Sequence, residues 1–151
     1  MQIRIEARDL PGLRCHPGPD APDGHTGLRV GVQRRGDPQQ ILDPVPGNAS
    51  SASWTLEATV RDTPHGIDLT GPYIQGRPGG RFIYLSWLSD QGPGPLGMFR
   101  RGKISLETIP TQVLDHAKHG GRIGVRVRLT DDRGNPACAT FGSASAAWYV
   151  D

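Results

Sequence analysis

The chain has 151 residues, 35% hydrophobic and 21% charged, with a formal net charge of +2. That length fits one domain with one core, which buries roughly 70% of the surface its unfolded chain exposes. So small a net charge gives no field pointing to nucleic acid or an anionic membrane surface, and no run approaches the roughly 20 apolar residues of a membrane-spanning helix, so neither is an expected partner.

The 21 Gly and 14 Pro point to many short elements joined by turns. From residue 2, Ile3, Ile5 and Ala7 share one face and Gln2, Arg4, Glu6 and Arg8 the other, which predicts a half-buried strand over 2–8. The same alternation leaves no apolar run for a signal peptide, so a cytoplasmic protein is expected. Residues 10–27 lack periodicity and predict a mobile surface loop. That loop gathers Cys15, His16, Asp20, Asp23 and His25, residue types that ligate zinc. No closely spaced ligand pair recurs elsewhere, so no metal is expected. The two cysteines, Cys15 and Cys138, are expected as free thiols in a reducing compartment.

Alternation returns over 27–35 (Leu28, Val30, Val32), 53–61 (Trp54, Leu56, Ala58, Val60) and 122–130 (Ile123, Val125, Val127, Leu129). Turn signals separate these runs: "DPVPG" from Asp43, "DTPHG" from Asp62, "DQGPGPLG" from Asp90 and "DDRGNP" from Asp131. Proline removes a donor and glycine permits positive φ, so such clusters do not continue a ladder. Serines 50, 51, 53, 143 and 145 stand in "NASSAS" and "GSASAA", which read as linkers without the strained elbow that exposes a nucleophile. One helix is predicted, at about 108–119 in "TIPTQVLDHAKHGG". Thr108 is its expected N-cap, Pro110 lies in the first turn and Gly120 is the stop. His116, Lys118 and His119 then complement the carbonyl end of the helix dipole, which accounts for them without catalysis. The expected fold is all-β with one main α-helix, a single-domain (1–151) antiparallel β-barrel or β-sandwich.

Residues 82–88 are apolar on both faces. Phe82, Tyr84, Ser86 and Leu88 point one way and Ile83, Leu85 and Trp87 the other. One face belongs in the core; the other needs a helix, a second subunit in a homodimer, or a cavity. Aromatics with polar tips suit a cavity wall, and Trp54, Tyr73, Tyr84, Trp87 and Met98 are the candidate substrate-pocket residues.

Other chemistries fail on context. "GMFRRGKI" spaces Gly97, Gly102 and Lys103 like a phosphate loop, but bulky residues fill the loop and Ile104 occupies the hydroxyl position. Glu6, Glu57 and Glu107 each lie on the polar face of an alternation, as solvated carboxylates do. Arg100, Arg101, Lys103, Arg122, Arg126 and Arg128 would form a phosphate-binding stripe if strands 98–107 and 122–130 were neighbours. Solvated arginines paired with acids are the simpler reading.

The order "GVQRR", "GPYIQG", "RFIYLSW", "MFRRGKI" and "RLTDDRGNPACA" resembles a family of small uncharacterised bacterial proteins, mostly actinobacterial, known only as a domain of unknown function. The resemblance spans nearly the whole chain and implies a compact bacterial cytosolic domain without assigning a functional residue. With no nucleophile, cofactor or metal motif, the expected function is a pocket for a hydrophobic small molecule. Cofactor-independent, pericyclic-type cyclisation in a natural-product pathway fits, since it needs a shaped dry cavity and little else. The alternative is a noncatalytic interaction or ligand-binding module using strand 82–88 as a dimer or partner surface.

Overall fold

A computed structural model describes residues 1–8, 28–46, 49–89, 98–129 and 144–151. The expected loop at 10–27, its metal-type residues and both cysteines lie outside the described residues. One sheet has the order β10-β9-β1-β4, built from β1 (Gln2–Ala7), β4 (Ala52–Glu57), β9 (Ile123–Leu129) and β10 (Ala144–Val150). The alternation of β1 is realised: Ile3, Ile5 and Ala7 are buried, and Gln2, Arg4 and Glu6 are half-exposed. β1 runs antiparallel to β4, with Ile5 opposite Trp54, and parallel to β9, with Ile5 opposite Val125. The parallel pairing departs from the expected antiparallel neighbours.

The other sheet has the order β3-β2-β7-β8, with β2 (Leu28–Arg34), β3 (Asp37–Pro46), β7 (Phe82–Ser89) and β8 (Met98–Ser105), all antiparallel. Its inner face presents Val30, Val32, Ile83, Leu85 and Ile104, which join Ile3, Ile5, Trp54, Leu56, Ile123 and Val125 in one core. The fold is therefore all-β with one helix, two sheets packed as a sandwich. Neither sheet closes into a barrel, although β10 lies alongside β8 and β3 approaches β4. At the β3/β4 seam the Trp54 indole Nε1 donates to the Asp43 carbonyl at 2.9 Å. No described helix is long and apolar enough to cross a membrane.

Several sequence expectations need correction. The run 53–61 is not one strand. It breaks at Ala58, whose N–H donates to the Met1 carbonyl and whose carbonyl accepts from the Met1 amino group, both at 3.0 Å. Beyond the break, β5 (Thr59–Thr63) and β6 (Gly66–Thr70) form a hairpin through the expected "DTPHG" turn, with Gly66 at φ +115°. "DPVPG" ends a strand later than its first residue suggests, because β3 continues through Asp43 and Pro44 and stops at Pro46. β3 is an edge strand, where a missing N–H is tolerated. Asp43 takes φ +42°, and the β2/β3 register shifts between Val30 and Val32. Ser53 and Ser145 are not in linkers but in β4 and β10.

The helix, α1, spans Thr111–Lys118 and Thr108 does not cap it. A 3-10 turn occupies Leu106–Thr108, capped by Ser105, whose Oγ accepts from Glu107 N–H at 3.3 Å. Ile109 precedes Pro110 and is held extended at ψ 121°, so the helix starts only after the proline. α1 packs mainly against β5, β9 and β10 rather than serving as the lid of β7.

Candidate functional site

β7 does separate into two kinds of face. Ile83 and Leu85 are fully buried in the core. On the other face Phe82 and Tyr84 are half-buried, in edge contact at 4.7 Å between ring centroids, and Lys103 Nζ sits 4.5 Å over the Phe82 ring. Ser86, also fully buried, donates to Gln33 Oε1 at 2.9 Å. Opposite Ser86 stands Gly31, where a Cβ would meet the Leu42 carbonyl oxygen at 2.6 Å and the Ile41 side chain at 3.1 Å. The polar pair is thus closed over within the chain.

The expected pocket residues do not converge. Trp54 is 2% exposed and points between the sheets, whereas Tyr84 points away from them. Tyr73 packs against the core while remaining half-buried. The side chains of Trp87 and Met98 lie outside the described residues. Nor do the basic residues 100–103 and 122–128 share a ladder: β8 and β9 belong to different sheets. Arg122 and Arg126 instead pair with Asp151 and Glu6, at 2.9 Å and 3.3 Å, as solvated arginines would.

A different place in the fold combines an apolar wall with fixed charge. β6 supplies Ile67, Asp68 and Leu69, the turn before β7 supplies Gly79 and Arg81, and the helical segment supplies Leu106, Glu107, Ile109 and Leu114. Together they line a cleft of about 130 Å³. Gly79 reaches φ +82° with open space around its Cα, so the turn brings backbone and no side chain to the rim. Arg81 donates from Nε to Asp68 Oδ1 and from Nη2 to Asp68 Oδ2, both at 3.0 Å, and from Nη1 to the Gly76 carbonyl at 2.7 Å. This is the bidentate fork geometry, with the arginine held from a second side. The two side chains are 10% and 14% exposed.

The Arg81 hydrogen bonds hold the Asp68 carboxyl below the ordinary aspartate range, against the opposing effect of its burial. Asp68 in turn raises Arg81. Both groups are charged at neutral pH and committed to each other, so neither is poised for proton transfer. Glu107 is exposed at the edge. Close by, the Trp148 indole Nε1 donates to Thr108 Oγ1 at 2.8 Å, tying β10 to the segment that walls the cleft.

Sequence reasoning missed both members of this ion pair. The available signal was Asp68 inside "GIDLT", an acid amid apolar strand residues that requires a buried cationic partner. Nothing local nominates Arg81 among the arginines, since the pairing comes from the hairpin folding beside the start of β7.

The whole chain, residues 1–151, matches the model of a family of unknown function, DUF5990, and belongs to that family. No curated protein and no solved structure matches it.

Proposed function

We propose that this DUF5990 domain is a noncatalytic binding module that holds a small, largely apolar molecule in the cleft between β6, the turn at 79–81 and the 106–114 segment. One observation carries the reading: five aliphatic side chains, Ile67, Leu69, Leu106, Ile109 and Leu114, face a fixed and nearly buried Asp68–Arg81 pair across about 130 Å³. An aliphatic cavity of about 150 Å³ admits benzene, so a guest of roughly six to eight non-hydrogen atoms fits. The walls supply apolar contact. Arg81 uses three of the five N–H groups of a guanidinium, leaving two to orient a polar tip of the guest.

Size and chemistry favour binding over cyclisation. A drug-sized substrate needs a hollow of about 300–1,000 Å³, more than twice this cleft. The acid in the wall is also neutralised by its arginine. Use of β7 as a partner surface has less support, because docking there would desolvate Lys103 above Phe82.

Titration with toluene and with phenol, each of seven non-hydrogen atoms, followed by amide chemical shifts, tests the proposal. Saturable shifts confined to 67–69, 79–81 and 106–114 are expected, and Leu114→Trp, which fills the space from a half-buried position, abolishes them while the protein stays folded. Absence of saturation for both probes, or unchanged binding by a folded Leu114→Trp variant, overturns it.

A further inference from the structure

The cleft beside β6 is bordered by main-chain groups as well as side chains. Thr63 and Gly66 pair across the two-residue turn of the hairpin, so the pairs that exchange both ladder hydrogen bonds are Thr63–Gly66, Arg61–Asp68 and Thr59–Thr70. The N–H and C=O groups of Ile67 and Leu69 therefore point away from β5. Because β5 and β6 form a two-stranded sheet, those groups face a free edge. Strand alternation puts the side chains of Ile67 and Leu69 on one face of the hairpin and that of Asp68 on the other, yet all three residues line the cleft. A hollow bordered by both faces of a strand runs along its edge. Leu69 N–H is turned to the Asp68 carboxylate. Ile67 keeps both groups open, since neither has a main-chain partner among the described residues.

We infer that the guest of this cleft is an apolar residue of an extended peptide, laid along β6 as an added antiparallel strand and paired with Ile67. This rests on the cleft being the binding site and adds what fills it. In such a rung the guest N–H donates to the Ile67 carbonyl and the guest carbonyl accepts from the Ile67 N–H. An antiparallel approach lets one residue satisfy both groups, which suits a cleft of about 130 Å³. A leucine residue, main chain included, has about eight non-hydrogen atoms, the size such a hollow takes. Its side chain falls on the Ile67 face, and its neighbours in the peptide face the Asp68 side. There the two N–H groups that Arg81 leaves over can donate to a peptide oxygen. Gly79, at φ +82° with open space around it, puts no side chain in the path of the added strand. Main-chain pairing supplies affinity and the aliphatic wall selects the residue, as in strand addition to other sheet edges.

The test titrates the full chain with N-acetyl-leucine N-methylamide and with its analogue methylated on the leucine nitrogen, read by amide shifts and by hydrogen exchange. The leucine amide is expected to saturate with shifts at 67–69, 79–81 and 106–114. It should slow exchange of the Ile67 N–H and leave the Asp68 N–H, already bonded to β5, unchanged. The analogue lacks the donor to the Ile67 carbonyl and should bind about tenfold more weakly, as loss of one buried hydrogen bond does. N-acetyl-alanyl-alanyl-leucine N-methylamide sets a further N–H opposite the Leu69 carbonyl and should bind about threefold more tightly than the single residue. Saturation by toluene and phenol but not by the leucine amide sinks this inference and leaves the cleft a binding site; failure of all the probes sinks both. Equal binding of the methylated analogue, no gain from the longer peptide, or unchanged exchange at Ile67 each overturns the strand pairing. Protection of Ile67 that rises with protein concentration before any peptide is added marks a second copy on the edge and overturns the peptide as occupant.

Discussion

Asp68→Asn should destabilise the domain more than any ordinary surface ion-pair deletion. The change keeps shape and one acceptor oxygen, but it removes the counter-charge of the Arg81 guanidinium, 14% exposed, and sets an NH2 donor against one of its two N–H groups now bonded to Asp68. Removing one partner of a fully buried pair costs about 3–5 kcal/mol. This pair lines an open cleft, so water reaches the guanidinium and about 2–3 kcal/mol is expected. For a chain of this length that corresponds to a fall in Tm of roughly 4–12 °C. Urea denaturation at neutral pH measures it. The double variant Asp68→Leu/Arg81→Met should recover most of the loss, because it removes both charges and extends the aliphatic wall.

The same pair gives a pH signature. Arg81 depresses the Asp68 carboxyl in the folded state, so as pH falls through about 4 the unfolded chain takes up a proton there before the folded one does. Stability contributed by Asp68 is therefore complete above that pH and is lost below it as the folded carboxyl protonates in turn. The difference between wild type and Asp68→Asn should narrow in acid. A variant within about 0.5 kcal/mol of wild type at neutral pH, or a gap that widens below pH 4, would refute the account of a desolvated, mutually dependent pair.

Ser86→Ala should cost about 1–3 kcal/mol in denaturant unfolding, because it strands the Gln33 amide oxygen in a buried place without its hydrogen bond. Gly124→Ala should cost about 1–3 kcal/mol by lifting the Tyr149 ring from the strand. It should also lower the Tyr149 titration midpoint toward the ordinary tyrosine value by spectrophotometric titration, since burial and contact with Glu6 now raise it.

Alternation made β1, β2, β4 and β9 legible, because a strand with one buried face writes period two into its own residues. The failures have local causes of a different kind. Pro44 and Pro46 signal a stop, yet whether a missing N–H matters depends on whether the strand is central or at an edge, and that is decided by what pairs with it. The run ends at Ala58 because Ala58 forms the last rung opposite β1, exchanging both hydrogen bonds with Met1, and the chain from Thr59 on pairs with β6 instead. The start of α1 was legible in principle: Ile109-Pro110 holds the isoleucine out of the helical region, a stronger constraint than the capping preference of Thr108.

The cleft was illegible because it is assembled by contacts between segments far apart in the chain. The aromatics and a methionine pointed to Trp54, Tyr73, Tyr84, Trp87 and Met98, but Trp54 lies between the sheets and Tyr84 on the outer face of the other sheet, and alternation cannot say which faces meet. Arginines obey the same logic in the opposite direction. The sequence sets Arg4, Glu6 and Arg8 on one face of β1 and Arg126 and Arg128 on one face of β9, and each row alone reads as solvated. Only the parallel register merges them, bringing Glu6 beside Arg126 and Arg8 beside Arg128. An antiparallel pairing of the same strands would reverse one row, so the charge arrangement is a property of strand direction as much as of composition. The turns pointed to antiparallel neighbours throughout, and the chemistry of this face depends on a parallel pairing that they did not announce.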